Sequence, residues 1–192
     1  MTRNRSALLR VTGSLLVGPL TLAASAQAVP AGPLYRLVDT AAQRLATADP
    51  VAASKWVNNG PPIDDPPRAN AVLDAVGADA TAHGIDPAYV RTVFTDQINA
   101  TEGIEYMRFA QWKFDPALAP ATGPDLSESR TAIDGFNKTM VDEIALQWNS
   151  LHSPTCSADL QETTDAVATA RQLDPLYRQA LASATRSYCR IT

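Results

Sequence analysis

The sequence predicts an all-α, single-domain helical bundle closed by one disulfide, on three observations. Apolar residues recur at steps of three and four, and sustained alternation at two is absent. Asp-Pro pairs stand where that periodicity restarts, at Asp49-Pro50, Asp86-Pro87 and Asp174-Pro175, each an N-cap acceptor followed by the helical position that tolerates proline. The 192 residues carry connections too short to set a second domain apart.

The elements follow in order. Leu34, Leu37, Val38, Ala41, Ala42 and Leu45 give a first helix up to about Ala48, and a short second one runs from Pro50 through Trp56. Proline density from Gly60 to Pro67 removes donors and predicts a loop, with a third helix from Arg68 to about Ala82. One long helix covers Pro87 to Phe114, and the proline- and alanine-rich stretch Asp115 to Pro124 connects it onward. Asp125 or Ser127 caps another long helix ending near Leu151. Two more, at about 157–172 and 175–189, complete the bundle.

Residues 1–28 differ from the rest. Arg3, Arg5 and Arg10 precede a mostly apolar stretch from Val11 to Ala24, and Ala26-Gln27-Ala28 offers small residues where a signal peptidase reads. This is the pattern of a secretory signal cleaved after Ala28, leaving residues 29–192 as the domain; the apolar stretch is interrupted and short of the roughly 20 residues a membrane span needs. Cleavage removes three arginines and no acid, so the net charge moves from −4 to −7. An acidic exported chain is a poor polyanion binder, and nucleic acid is not an expected partner; nor is a membrane once the signal is gone. Two cysteines and two histidines leave little material for a transition-metal site, so no metal is expected. In an oxidising compartment Cys156 and Cys189 are expected to pair.

The informative signal is charge on faces that should be apolar. Along the first long helix the stripe reads Val90, Phe94, Ile98, Thr101, Glu105, Phe109, Trp112; along the second, Leu126, Arg130, Ile133, Asn137, Met140, Ile144, Trp148, Leu151. Arg44 falls on a line with Leu37, Ala41 and Ala48. A buried charge without a partner is prohibitive. Two readings stay open: an Arg130–Glu105 ion pair that fixes helix register, or a polar cavity. Arg44, Lys55, Arg68 and Arg130 outnumber Glu105 as the stripe acid, which points to an anionic ligand, because guanidinium forks match carboxylates bidentately.

The stretches Ala42-Gln-Arg44-Leu, Asp49-Pro-Val-Ala-Ala-Ser-Lys55-Trp56, Asp65-Pro-Pro-Arg68, Gln97-Ile-Asn-Ala-Thr101-Glu-Gly-Ile-Glu105-Tyr106 and Asp125-Leu-Ser-Glu-Ser-Arg130 together resemble the secreted chorismate mutases, the gamma subclass of the AroQ type. The similarity covers nearly the whole chain after the signal. It implies an exported, secreted or periplasmic, all-α enzyme that converts chorismate to prephenate by an intramolecular Claisen rearrangement, with each active site inside one chain. The reaction calls for no nucleophile, metal or organic cofactor. By the same resemblance Arg44 and Arg130 clamp carboxylates, Lys55 reaches the breaking ether oxygen, Arg68 supports the ligand charge, Asp65 lies near the substrate hydroxyl or the lysine, and Thr101 contacts a carboxylate or hydroxyl. Glu105 meets an oxygen that can only accept, so it must be protonated there; burial raises its pKa, cations lower it, and the balance is open at this point. Whether Asp64 or Asp65 faces the site is open too. The resemblance makes a homodimer plausible. The rival reading is a non-catalytic exported α-helical binding or effector protein with a retained anion pocket.

Overall fold

The structure is a computed structural model that describes residues 32–190; the expected signal at 1–28 lies outside them. Eight α-helices make up the described chain: α1 Tyr35–Leu45, α2 Ala48–Val57, α3 Pro66–Ala82, α4 Pro87–Phe114, α5 Leu126–Leu146, α6 Trp148–Leu151, α7 Cys156–Ala170 and α8 Pro175–Thr185, with a short 3-10 turn at Pro116–Leu118. No strand occurs among the described residues. The all-α expectation holds.

Helix starts follow their aspartates. Asp65, Asp86, Asp125 and Asp174 cap α3, α4, α5 and α8 by accepting from Arg68, Ala88, Ser127 and Tyr177 backbone N–H groups, satisfying donors that a first turn leaves without partners. Asp49-Pro50 departs from this pattern, because α2 begins earlier, at Ala48. Its predecessor α1 stops at Leu45, where Thr47 Oγ1 donates to the Arg44 carbonyl at 2.7 Å and turns the chain.

Three other boundaries differ from the sequence expectation. The proline run does not stay loop to its end: α3 starts at Pro66, and Pro66 and Pro67 occupy the first turn, where no intrahelical N–H is required. The expected helix to Leu151 breaks at Gln147 (φ −98°, ψ 16°). Beyond the break Trp148 stands edge-on to Tyr89 at 5.3 Å between centroids, and Leu151 returns to the core. Finally α8 ends at Thr185, and the chain turns so that Tyr188 is wholly buried, its carbonyl accepting from Tyr89 Oη at 2.5 Å.

The core gathers Leu34, Leu37, Val38, Leu45, Val90, Phe94, Ile104, Met140, Ile144, Leu151 and Leu181, each essentially inaccessible. The long α4 is the central pillar, with α2, α3 and α8 packed around it, while α1 lies against α5. Cys156, opening α7, and Cys189, after α8, form the expected disulfide across 33 residues, a loop whose closure contributes roughly 3–4 kcal/mol in the chain-entropy account. Gly123 serves a close approach: a Cβ there would lie 2.7 Å from Ser54 Cα and 2.8 Å from the Ala53 carbonyl oxygen. Only glycine lets the 119–124 strap lie on α2 and deliver Leu126 and Arg130 to the same side of the molecule as Lys55.

Candidate active site

All seven residues singled out by sequence, Arg44, Lys55, Asp65, Arg68, Thr101, Glu105 and Arg130, line one open cavity. They arrive from α1, α2, α3, α4 and α5. Val51, Ile63, Val72, Ile98, Leu126 and Ile133 complete the walls, so the charged groups face a space with apolar sides that hold water back and strengthen electrostatics inside it.

Arg44 is the deepest cation, 4% exposed. Its Nε donates to Asn137 Oδ1 at 2.8 Å, and Nη1 donates to Thr101 Oγ1 at 3.3 Å and to the Gln97 carbonyl at 3.4 Å. The Phe94 ring lies 5.9 Å from its guanidinium carbon. Burial, with the Arg68 charge nearby, brings its pKa down to about 10. The guanidinium therefore stays charged at neutral pH, though at a desolvation cost that an incoming anion would relieve.

Lys55 and Glu105 form a buried pair, Nζ to Oε2 2.8 Å, with side chains 9% and 4% exposed. Lys55 also donates to the Ile63 carbonyl at 3.2 Å, tethering the 58–65 loop against the cavity. Burial pushes the Glu105 carboxyl above the usual carboxylate range, and the Lys55 ammonium opposes that shift without reversing it. The contest left open by the sequence is decided by depth. The register-fixing Arg130–Glu105 pair does not form; Glu105 pairs with Lys55 instead, and Arg130 stands exposed at the cavity mouth. Its stripe turns inward only further along α5, at Asn137, Met140 and Ile144.

Arg68 reaches Asp134 on α5 at 2.8 Å across an accessible edge. Asp65 lines the cavity, but one of its oxygens caps α3 through the Arg68 N–H at 3.1 Å. Asp64 accepts from the exposed Tyr106 hydroxyl at 2.8 Å and does not line this cavity. Of the two candidates Asp65 faces the site.

Sequence reasoning missed two groups here. Asn137 carries a signal only as the lone amide of its stripe, between Ile133 and Met140. Glu102 lies inside the Thr101–Glu105 motif without an assigned role, yet it lines the cavity half-buried. Burial and the Asp64 charge raise its pKa, with Lys55 acting against them.

A family model described as "Chorismate mutase type II" matches residues 35–106. The secreted chorismate mutase of Mycolicibacterium smegmatis is 63% identical over 160 residues, covering 83% of this chain and 88% of that protein. This chain belongs to the secreted chorismate mutases. The secreted chorismate mutase of Mycobacterium tuberculosis is 50% identical over 156 residues, 81% of this chain and 78% of that one. A solved chorismate mutase from Burkholderia thailandensis superposes with a TM-score of 0.75 at 37% identity, covering 82% of this chain and 99% of that one. The secreted chorismate mutase described here is thus an enzyme whose substrate is chorismate.

Proposed function

We propose that the seven-residue cavity is where chorismate rearranges to prephenate, and that it works by restraining one conformer and by stabilising charge on the ether oxygen, in the manner of the gamma AroQ subclass. The convergence of four cations from α1, α2, α3 and α5 on one apolar-walled cavity supports this reading. Chorismate carries two carboxylates; Arg44, from the floor, and Arg130, from the mouth, hold them and select the compact pseudo-diaxial form in which the reacting carbons approach. As the C–O bond breaks and the C–C bond forms, the ether oxygen gains negative charge. Lys55 Nζ donates to it, and Glu105, whose pKa burial raises, donates alongside in its protonated form. Arg68 adds positive potential, and Thr101 Oγ1 links Arg44 to the ligand. The substrate hydroxyl needs an acceptor. Asp65 has one oxygen committed to its helix cap, so Glu102 shares that task.

Enzyme-dependent loss of chorismate with prephenate appearing tests the reading; binding without conversion would support the non-catalytic effector instead. Arg130→Ala should leave the fold intact, because the side chain is exposed, and should weaken kcat/KM about tenfold through the lost charged contact. Kinetics identical to the parent would remove Arg130 from the site.

Two further features belong to this proposal. The export signal is cleaved after Ala28, so N-terminal sequencing of the exported chain should begin at Val29; a start at Met1 or Thr2 would contradict it. The enzyme pairs as a homodimer, and the outer end of α4, where Met107 is 56%, Phe114 91% and the following Leu118 54% exposed, offers apolar side chains for that contact. Sedimentation should give a dimer that Phe114→Ser weakens; a monomer at assay concentration would exclude this.

A further inference from the structure

Arg44 has an unusual set of partners for a buried cation. Arg36, Arg68, Arg91, Arg108, Arg171 and Arg186 each meet a carboxylate. Arg44, more buried than any of these, has no carboxylate within ion-pair distance among the described residues, and all three of its hydrogen-bond acceptors are neutral. The shortest of these contacts comes from Asn137, 7% exposed on α5. An amide and a carboxylate of equal size fit the same place, so the choice between them is a choice about charge.

We propose that Asn137 is the positioning residue of the clamp: its amide oxygen fixes the Arg44 guanidinium through Nε without neutralising it. With Nε held by Asn137 and Nη1 by Thr101 and the Gln97 carbonyl, the plane of the fork is set from two sides before a ligand arrives. That pre-organisation saves the rotamer freedom a free arginine would lose on binding. An aspartate at 137 would orient the fork equally well but would occupy the cation, and a substrate carboxylate would then have to compete with a permanent internal one. The neutral partner leaves Arg44 short of a counter-ion that only the ligand supplies. This inference rests on the reading that Arg44 meets a substrate carboxylate.

The test is Asn137→Asp, with kcat and KM followed against pH. The introduced carboxyl would face Arg44 from α1, Arg68 and Asp79 from α3, and Asp134 and Lys138 on its own helix, with Tyr188 from the segment after α8 on the far side of Arg44. Ionised, it should raise KM about 10- to 100-fold, the range for a contact to a charged group, with a smaller change in kcat. Protonated at low pH, it becomes a near-neutral isostere, so the ratio of parent to variant kcat/KM should shrink as pH falls; taking the ratio cancels the Glu105 limb common to both. A deficit that does not change with pH marks a structural role and overturns the proposal, as does a variant equal to the parent throughout. Asn137→Ala provides a second reading, decisive if the aspartate variant does not fold: KM up about tenfold with kcat nearly held supports positioning, and unchanged KM overturns it. Arg44→Gln separates the two levels. If it leaves kcat/KM unchanged the clamp reading itself fails, whereas a large loss there beside parent-like Asn137 variants sinks only the role of Asn137.

Discussion

Lys55→Met should lower kcat by about 10² to 10³, the magnitude found when one donor to a developing oxyanion is removed. Methionine keeps most of the lysine's buried stem, so circular dichroism should show an intact fold, and the loss should lie in turnover. The substitution has a second consequence. Lys55 is the group that holds the Glu105 pKa down against burial, so without it Glu105 stays protonated to still higher pH. The residual activity should then depend less on pH than that of the parent. A kcat within a few-fold of the parent would place the ether oxygen elsewhere in the cavity.

Glu105→Gln should flatten the alkaline limb of the activity profile. The Glu105 pKa lies above the usual carboxylate range because the side chain is buried, and only its protonated form can donate to an ether oxygen. Activity of the parent should accordingly decline as pH rises through that raised value, while an amide donates at every pH. Below that pH the two enzymes should differ by no more than about tenfold, the weight of one hydrogen bond. Stability follows the same proton. A carboxyl whose folded pKa is raised binds its proton more tightly in the folded chain, so it costs stability above that pKa, and the cost is relieved as pH falls toward the unfolded value. The glutamine variant lacks this contribution, so its melting temperature should fall less than the parent's as pH rises through that value. Abolished turnover at all pH values would exclude the donor role.

How much of the site was legible can be argued residue by residue. Arg44, Thr101 and Glu105 were visible because a charge or hydroxyl interrupts an otherwise apolar helical stripe, and periodicity makes such interruptions stand out. Arg130 stood out for the same reason, but its depth was misread: α5 runs past the mouth of the cavity before it enters the core, and no local pattern reports where a helix meets the surface. Lys55 and Arg68 entered as cations in excess of Glu105, but because they and Asp65 sit where helices begin or end, their roles, and Asp65 altogether, came from resemblance. Asn137 and Glu102 went unassigned because their importance lies in what stands opposite them.

The sequence by itself determined the all-α class, the aspartate-capped starts of α4 and α8, the disulfide and seven of the polar residues that share the cavity. These are properties of local spacing, or of residue types that have few alternatives. Tertiary structure decided which charges meet. Glu105 pairs with Lys55 because α2 packs beside α4, and Asp65 rather than Asp64 lines the cavity because Tyr106 and the α3 cap draw the two carboxylates apart. Arg44 is left with neutral partners because α5 presents Asn137 to it. Desolvation and pair distances arise only when segments tens of residues apart are brought together, and those quantities set both the pKa of Glu105 and the readiness of Arg44 for an anion.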